Sequence, residues 1–323
     1  MSALLEDLHA RAVEAMAAWS LPEQAPRLLK HRENAVFEVR LANGARAALR
    51  LHRPGYHAED ALLSELQWME DLRRHGLATP EPIAAADGRL LISLDQAGQF
   101  ADLIDWMDGA PLGATGRPLA HNRDELQRIF FAVGAEMARM HAIADRWRWP
   151  ETFSRLSWDS DGLLGECPVW GRFWDAAGLA DPDRQFLTDL RGALRKRLAE
   201  IGDGLDFGLV HADLVRENIF VGPSGVAFID FDDCGFGWRL FDIATTLLRN
   251  RQEPDYALIE ASLIEGYRSE RALTDADLRQ LPLFLLLRSL TYIGWIGDRP
   301  DLPDAEERLA RYVADARKLS DAS

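Results

Sequence analysis

The chain has 323 residues, too many for one ordinary compact core and too few for three, so two lobes or domains is the expected organisation. With 37 basic and 52 acidic residues, its net charge of -15 would repel a phosphate backbone or an anionic membrane surface, which argues against nucleic acid or membrane as the main partner and leaves a cationic or zwitterionic one open. A hydrophobic share of 47% fits a well-packed globular protein.

Residues 4 to 19, with Leu4, Leu5, Leu8, Val13 and Met16, predict an amphipathic helix, while Glu6, Asp7, His9 and Arg11 break the apolar run a signal peptide would need. "AVFEVRL" (35–41) and "ARAALRL" (45–51) flank Asn43-Gly44, the dipeptide of a tight hairpin. A helix is expected from Glu59 to His75, with Leu62, Leu66, Met69 and Leu72 on its apolar stripe. Gly76 is placed to end it, and Pro80 and Pro82 prevent its resumption. "GRLLISL" (88–94) reads as a further strand and "ADLIDWMDG" (101–109) as a strand running into a turn. Long helices follow over 123–145 and 183–200, then strands around 209–230, and the remainder is expected to be almost all helical. Its most apolar segment, "LPLFLLLRSLTYIGWIG" (281–297), is interrupted by Arg288 and is shorter than the roughly 20 residues that span a bilayer, so it reads as a buried helix. Cys167 and Cys234 have no metal-ligand or redox spacing, which points to a reduced, cytoplasmic setting. The pattern is α+β: a β-rich part over 1–100, a connection over 101–110 and a helical part over 111–323, with a cleft between the two parts as the expected place for a site.

"LVHADLVRENIFV" (209–221) sets His211, Asp213 and Asn218 between two apolar runs. The interval from Asp213 to Asn218 matches the catalytic loop H-R-D-x-x-x-x-N of kinases. In phosphoryl transfer an Asp can accept the acceptor's hydroxyl proton, and an Asn carbonyl together with a second carboxylate can hold Mg²⁺ against nucleotide phosphates. That second carboxylate is Asp230, at the end of the run Val226–Ile229, reached through the turn Gly222-Pro223-Ser224-Gly225. A buried Asp can also simply cap a turn, but that does not explain the joint pattern. For His211 a hydrogen bond that shapes the loop is the favoured role.

Residues 209–248 resemble the aminoglycoside phosphotransferase superfamily, which shares a two-lobed protein-kinase-like fold with choline kinases, homoserine kinases of the second type and a bacterial stress-response protein kinase. The resemblance implies Asp213 as catalytic base, Asn218 and Asp230 as Mg²⁺ ligands, and Asp242 in "LFDIATTLL" as a brace for the catalytic loop, although a plain helix N-terminal carboxylate accounts for Asp242 equally well. It also implies that Arg50 stands where kinases carry the phosphate-binding Lys, with Glu65 in "SELQWMEDL" as its partner, and that ATP is the donor. Arg for Lys is a departure, since a planar fork is not a point charge. No G-x-G-x-x-G loop exists; the backbone around Glu33 to Ala35, with Asn34, occupies its place, and "FADLIDWMDG", with Asp105 and Trp106, falls where the family binds the adenine edge.

Ala212 replaces the Arg of H-R-D, and Val215 replaces the Lys found two positions after the catalytic Asp, with Arg216 one place later. No D-F-G or A-P-E follows, which points away from ordinary protein kinases. Asp232 reads as a solvated turn acid and Asp233 as a carboxylate for an ammonium group or a second metal. Trp158, Trp170 and Trp174 read as core packing ahead of a substrate-stacking wall. The expected activity is Mg²⁺-dependent transfer from ATP to a hydroxyl of a small, amine-bearing metabolite such as homoserine, hydroxylysine or an aminoglycoside. The alternatives are a serine/threonine protein kinase of the stress-response type and a nucleotide-binding pseudokinase.

Overall fold

The computed structural model describes residues 2–31, 34–94 and 98–321. The chain forms two compact units: Met1–Ala110 with Trp147–Arg155 and Ala227–Asp232, and Pro111–Arg146 with Leu156–Val226 and Asp233–Ser323.

The first unit is built on an antiparallel sheet of order β1-β2-β3-β5-β4, formed by β1 (Arg27–His31), β2 (Ala35–Arg40), β3 (Arg46–Leu51), β4 (Leu91–Ser93) and β5 (Phe100–Asp105). The hairpin between β2 and β3 turns at Asn43-Gly44, where Gly44 takes φ of 82°, a conformation open to glycine at little cost. Its register pairs Ala35 with Leu51, Phe37 with Leu49 and Val39 with Ala47, so the period-2 alternation buries one continuous apolar face. Helix α1 (Ser2–Met16) supplies Leu8, Ala12, Ala15 and Met16 to that core. Two residues of the expected stripe do not join it: Val13 is 53% exposed and Leu5 36%, because the small Ala12 and Ala15 let the helix approach on a different face. Helix α2 (Glu59–Arg74) buries Leu62, Leu66, Met69 and Leu72, and Glu65 lies fully buried on the same face. Its acidic first turn and basic last turn complement the helix dipole.

The second unit contains α3 (Arg123–Ala144), α4 (Ser160–Leu164), α5 (Asp181–Ile201), α6 (Arg239–Leu248), α7 (Tyr256–Glu270), α8 (Asp275–Leu278), α9 (Leu281–Gly297) and α10 (Ala305–Ser320). Helix α3 begins with a reciprocal capping box between Asn122 and Glu125. It packs on α7 through facing glycines: a Cβ at Gly134 would lie 2.0 Å from the Leu263 carbonyl oxygen, and one at Gly266 would lie 1.9 Å from that of Phe131. Short strands complete the chain: β6 (Ala110–Pro111), β7 (Leu156–Trp158), β8 (Phe207–Val210), β9 (Ile219–Gly222), β10 (Gly225–Phe228) and β11 (Gly235–Trp238). β11 is a strand in the part beyond residue 230 that was expected to be almost all helical. It is wedged between β7 and β8, and Gly235 makes this possible, since a Cβ there would meet the Leu156 carbonyl at 2.2 Å. Among the described residues no helix is long and apolar enough to cross a membrane. Cys167 is exposed, Cys234 is buried, and both are free thiols.

Candidate active site

Strand β8 ends at Val210 and the chain turns at once through His211, Ala212 and Asp213. Ala212 has φ of 66°, a left-handed conformation that a residue with a side chain adopts at a cost of about 1 kcal/mol or more. Asp242, in the first turn of α6, holds this strained bend. Its Oδ2 accepts from the His211 backbone N–H at 2.9 Å and its Oδ1 from that of Ala212 at 2.7 Å. The His211 ring accepts from the Asp213 N–H at 3.3 Å, and Thr246 of α6 donates to the Leu214 carbonyl at 3.0 Å. Behind Asp242, His141 of α3 is fully buried, with Nε2 at 3.0 Å from Asp242 Oδ2 and Nδ1 at 2.9 Å from the Tyr267 hydroxyl of α7. Burial, and then the Arg239 charge, lower the His141 pKa to about 4; burial pushes that of Asp242 up, but the hydrogen bond and charge of His141 together with the backbone N–H and ring of His211 bring it below the usual value. A neutral ring beside an ionised carboxylate must donate from Nε2, so Nδ1 accepts from Tyr267.

Asp213 and Asn218 meet within this loop. Asn218 Nδ2 donates to the Asp213 carbonyl at 2.9 Å and to its Oδ2 at 3.0 Å, which leaves the Asn218 Oδ1, a hard oxygen donor, without a hydrogen-bond partner among the described residues. Asp213 Oδ1 accepts at 2.6 Å from Arg288 of α9, a residue read in the sequence only as an interruption of an apolar run. Arg216 is taken up elsewhere, donating to Asn250 at 2.9 Å, to the Arg117 carbonyl at 2.8 Å and to Glu253 at 2.6 Å. It fastens the loop to the chain beyond α6. Asp233 accepts from the Trp170 indole at 3.0 Å, and its carbonyl accepts from that of Trp158 at 2.8 Å. Trp158 is fully buried and stacks on Phe241, whereas Trp174 carries the Arg191 guanidinium 3.8 Å above its ring.

In the first unit, Asp230 follows β10 by two residues and also takes a left-handed φ of 66°. The next residue, Phe231, is fully buried and sets its ring edge-on to Trp68 of α2, which anchors the segment. Lys30 Nζ lies 3.4 Å from Asp230 Oδ2. Asp232 is not the solvated acid expected: it is only 7% exposed, receives a hydrogen bond from Asn34 at 3.3 Å and has His57 Nε2 3.6 Å away. Burial opposes its charge, but His57 and the positive charge around Arg50 hold its carboxyl well below the usual range. Arg50 is buried among anions. Its Nε and Nη2 clasp Asp102 at 2.7 and 2.8 Å, and Nη1 reaches Glu65 at 2.8 Å. His52 adds a 2.6 Å contact to Asp102. Desolvation works against the Arg50 charge, yet Asp102 and Glu65 raise its pKa well above normal. Asp105 spends its backbone N–H on the Glu81 carbonyl at 2.9 Å and its side chain on the Glu81 N–H at 2.6 Å, and Trp106 is covered by Arg46 at 3.6 Å. Glu33 lies outside the described residues.

Asp213, Asp230 and Asn218 are hard oxygen donors of the kind that suit Mg²⁺ or Ca²⁺. Among the described residues no group of three or more His, Cys, Asp or Glu is arranged to hold a metal. Residues 24–273 match the model of the family described as "Phosphotransferase enzyme family". The chain belongs to that family. It is a kinase with an α+β, protein-kinase-like fold, and its relatives support phosphoryl transfer to small metabolites. This phosphotransferase is 30% identical over 278 residues to a homoserine kinase of Gluconacetobacter diazotrophicus, covering 80% of each chain. Its structure is similar to that of a microcompartment-associated aminopropanol kinase, with a TM-score of 0.80, 31% identity and 94% of each chain covered. It shares the fold of an amicoumacin kinase solved with AMP-PNP and Ca²⁺, with a TM-score of 0.77 and 24% identity over 97% of this chain and 96% of that one.

The residues of this phosphotransferase that sequence reasoning missed are Arg288, His141, Tyr267, Asp102 and Lys30. For Arg288 and His141 a signal was present, since each is a lone polar residue in an otherwise apolar helical stretch and a buried charge or imidazole needs a partner. Asp102 lies within an apolar strand run and carried the same signal.

Proposed function

We propose that this phosphotransferase moves the γ-phosphate of ATP, with Mg²⁺, to the hydroxyl of a small amine-bearing metabolite of the amino-alcohol class. The observation that carries the reading is the pairing of Asp213 with Asn218, in which the amide nitrogen orients the carboxylate and the amide oxygen stays available for a cation. Asp213 accepts the hydroxyl proton as the acceptor oxygen bonds to the γ-phosphorus and the bond from phosphorus to the bridging oxygen breaks; ADP departs and the carboxyl returns its proton to water. Asn218 Oδ1 and Asp230 would hold the metal, in place of the ion pair that Asp230 now makes with Lys30. Mg²⁺ neutralises phosphate charge when bound. Arg50, held by Glu65 and Asp102, has five N–H donors of which three are committed, and the other two serve a phosphate. The net charge of -15 and the carboxylate of Asp233 favour an acceptor that carries an ammonium group.

The test is Mg²⁺-dependent ATP consumption by the purified protein across homoserine, aminopropanol, hydroxylysine, ethanolamine, choline and an aminoglycoside, with Asp213→Asn as the blank. Stimulation by an amino alcohol that vanishes in the variant is the expected result. Equal turnover in the variant would remove Asp213 as the base, and label entering a protein substrate in place of every small molecule would overturn the acceptor class.

A further inference from the structure

Arg288 sits in the middle of α9 with no solvent exposure, among residues that are otherwise apolar or small. Its guanidinium carbon lies 4.4 Å from the Trp170 ring centre, 4.7 Å from that of Tyr292 and 5.6 Å from that of Phe241, so aromatic faces enclose the cation. From this enclosure Nη2 reaches Asp213 Oδ1 at 2.6 Å and the Tyr292 hydroxyl at 3.2 Å, while Nε and Nη1 make no hydrogen bond among the described residues. Packing alone would be served better by Met or Leu, since a buried guanidinium with two unsatisfied nitrogens costs stability. What the Arg supplies is a fixed cation aimed at one carboxylate oxygen. Val215 brings no charge to the position where protein kinases commonly carry a Lys, and α9 brings one from another part of the chain.

We propose that Arg288 is the positioning residue of the catalytic loop, acting through Asp213. Arg288 pins Oδ1 and Asn218 pins Oδ2, so the carboxylate plane is fixed from both sides and the acceptor hydroxyl meets a lone pair whose direction is set in advance. The aromatic enclosure restricts the guanidinium and thereby the Asp. This inference rests on Asp213 being the base.

The experiment combines Arg288→Met and Arg288→Lys, with Asp213→Asn as the blank, assayed with ATP and the most active amino alcohol of the panel above, together with crystal structures of the wild type and Arg288→Met. The expected result is a kcat about 100-fold lower in Arg288→Met, the cost of a misplaced catalytic group. Both KM values should stay within about threefold and Arg288→Lys should recover part of the loss, because its ammonium still reaches the carboxylate. In the Arg288→Met crystal, Asp213 should have turned from its place beside Asn218. A raised acceptor KM with kcat intact would make Arg288 an acceptor contact and overturn the proposal, as would an unmoved Asp213. If the wild type transfers phosphate to nothing, the kinase reading fails, while the position of Asp213 in the two crystals still decides whether Arg288 holds it.

Discussion

Arg50 shows why a fork and a point charge are not interchangeable. Nε and Nη2 grip both oxygens of Asp102, and Nη1 turns to Glu65, a geometry that one Lys ammonium cannot reproduce. The sequence pointed to Arg50 and Glu65 as partners through their spacing against a motif, but not to Asp102, whose pairing with Arg50 across adjacent strands depends on register. Removing one member of a buried ion pair leaves an uncompensated charge, so Asp102→Asn should lower stability by about 3 kcal/mol, read from urea unfolding. Arg50→Lys should raise the KM for ATP at least tenfold while leaving the acceptor KM near its wild-type value. An unchanged ATP KM in steady-state assays would separate this cation from the phosphate.

At the scale of elements, three helices support the loop from His211 to Asn218 in series. Tyr267 of α7 donates to His141 of α3, His141 donates to Asp242 of α6, and Asp242 holds the left-handed bend at Ala212. The close approach of α3 and α7 sets the first link, and it depends on glycine at 134 and 266. Gly134→Ala should therefore force the helices apart and cost about 1–3 kcal/mol, visible as a lower Tm, with a fall in kcat as the brace loosens. The same chain gives a pH signature. His141 titrates at about 4 in the folded protein against 6.5 as its ordinary value, so the unfolded chain binds a proton first as pH falls. Stability should then be flat above about pH 6.5 and decline between there and pH 4, by no more than ~3 kcal/mol from this group. His141→Gln should flatten that window in urea titrations run at several pH values. If the wild-type curve shows no slope there, the ring is not neutral in the fold. Asp242 entered the sequence reading as a brace through the family resemblance, but its links to His141 and Tyr267 did not, because they join residues more than a hundred positions apart through side chains that carry no motif. The helices themselves were legible from periodicity and caps, since those signals are local.

Across the whole molecule, the charge balance bears on what the enzyme meets. A net charge of -15 raises the local concentration of cationic acceptors, and salt screens that attraction over about 10 Å at 0.1 M. For an amino alcohol, kcat/KM should fall several-fold between low salt and 0.5 M NaCl, whereas a neutral diol should show little change; equal slopes would show that the charge serves solubility alone. The α+β organisation was legible because hairpin, capping and glycine signals repeat along the chain, and the meeting of Asp213 with Asn218 because the motif sets their spacing. Asp232 was misread because burial is a property of the folded unit: its sequence neighbours are polar, yet Asn34 and His57 from a distant segment close over it. The measurement that bears most directly on the central claim is ³¹P NMR of the reaction of ATP and Mg²⁺ with an amino alcohol. A phosphomonoester of the acceptor hydroxyl, formed one for one with ADP and absent with Asp213→Asn, is the expected result. Inorganic phosphate as the sole product, or a phosphoester that forms equally well without the Asp213 carboxylate, would contradict it.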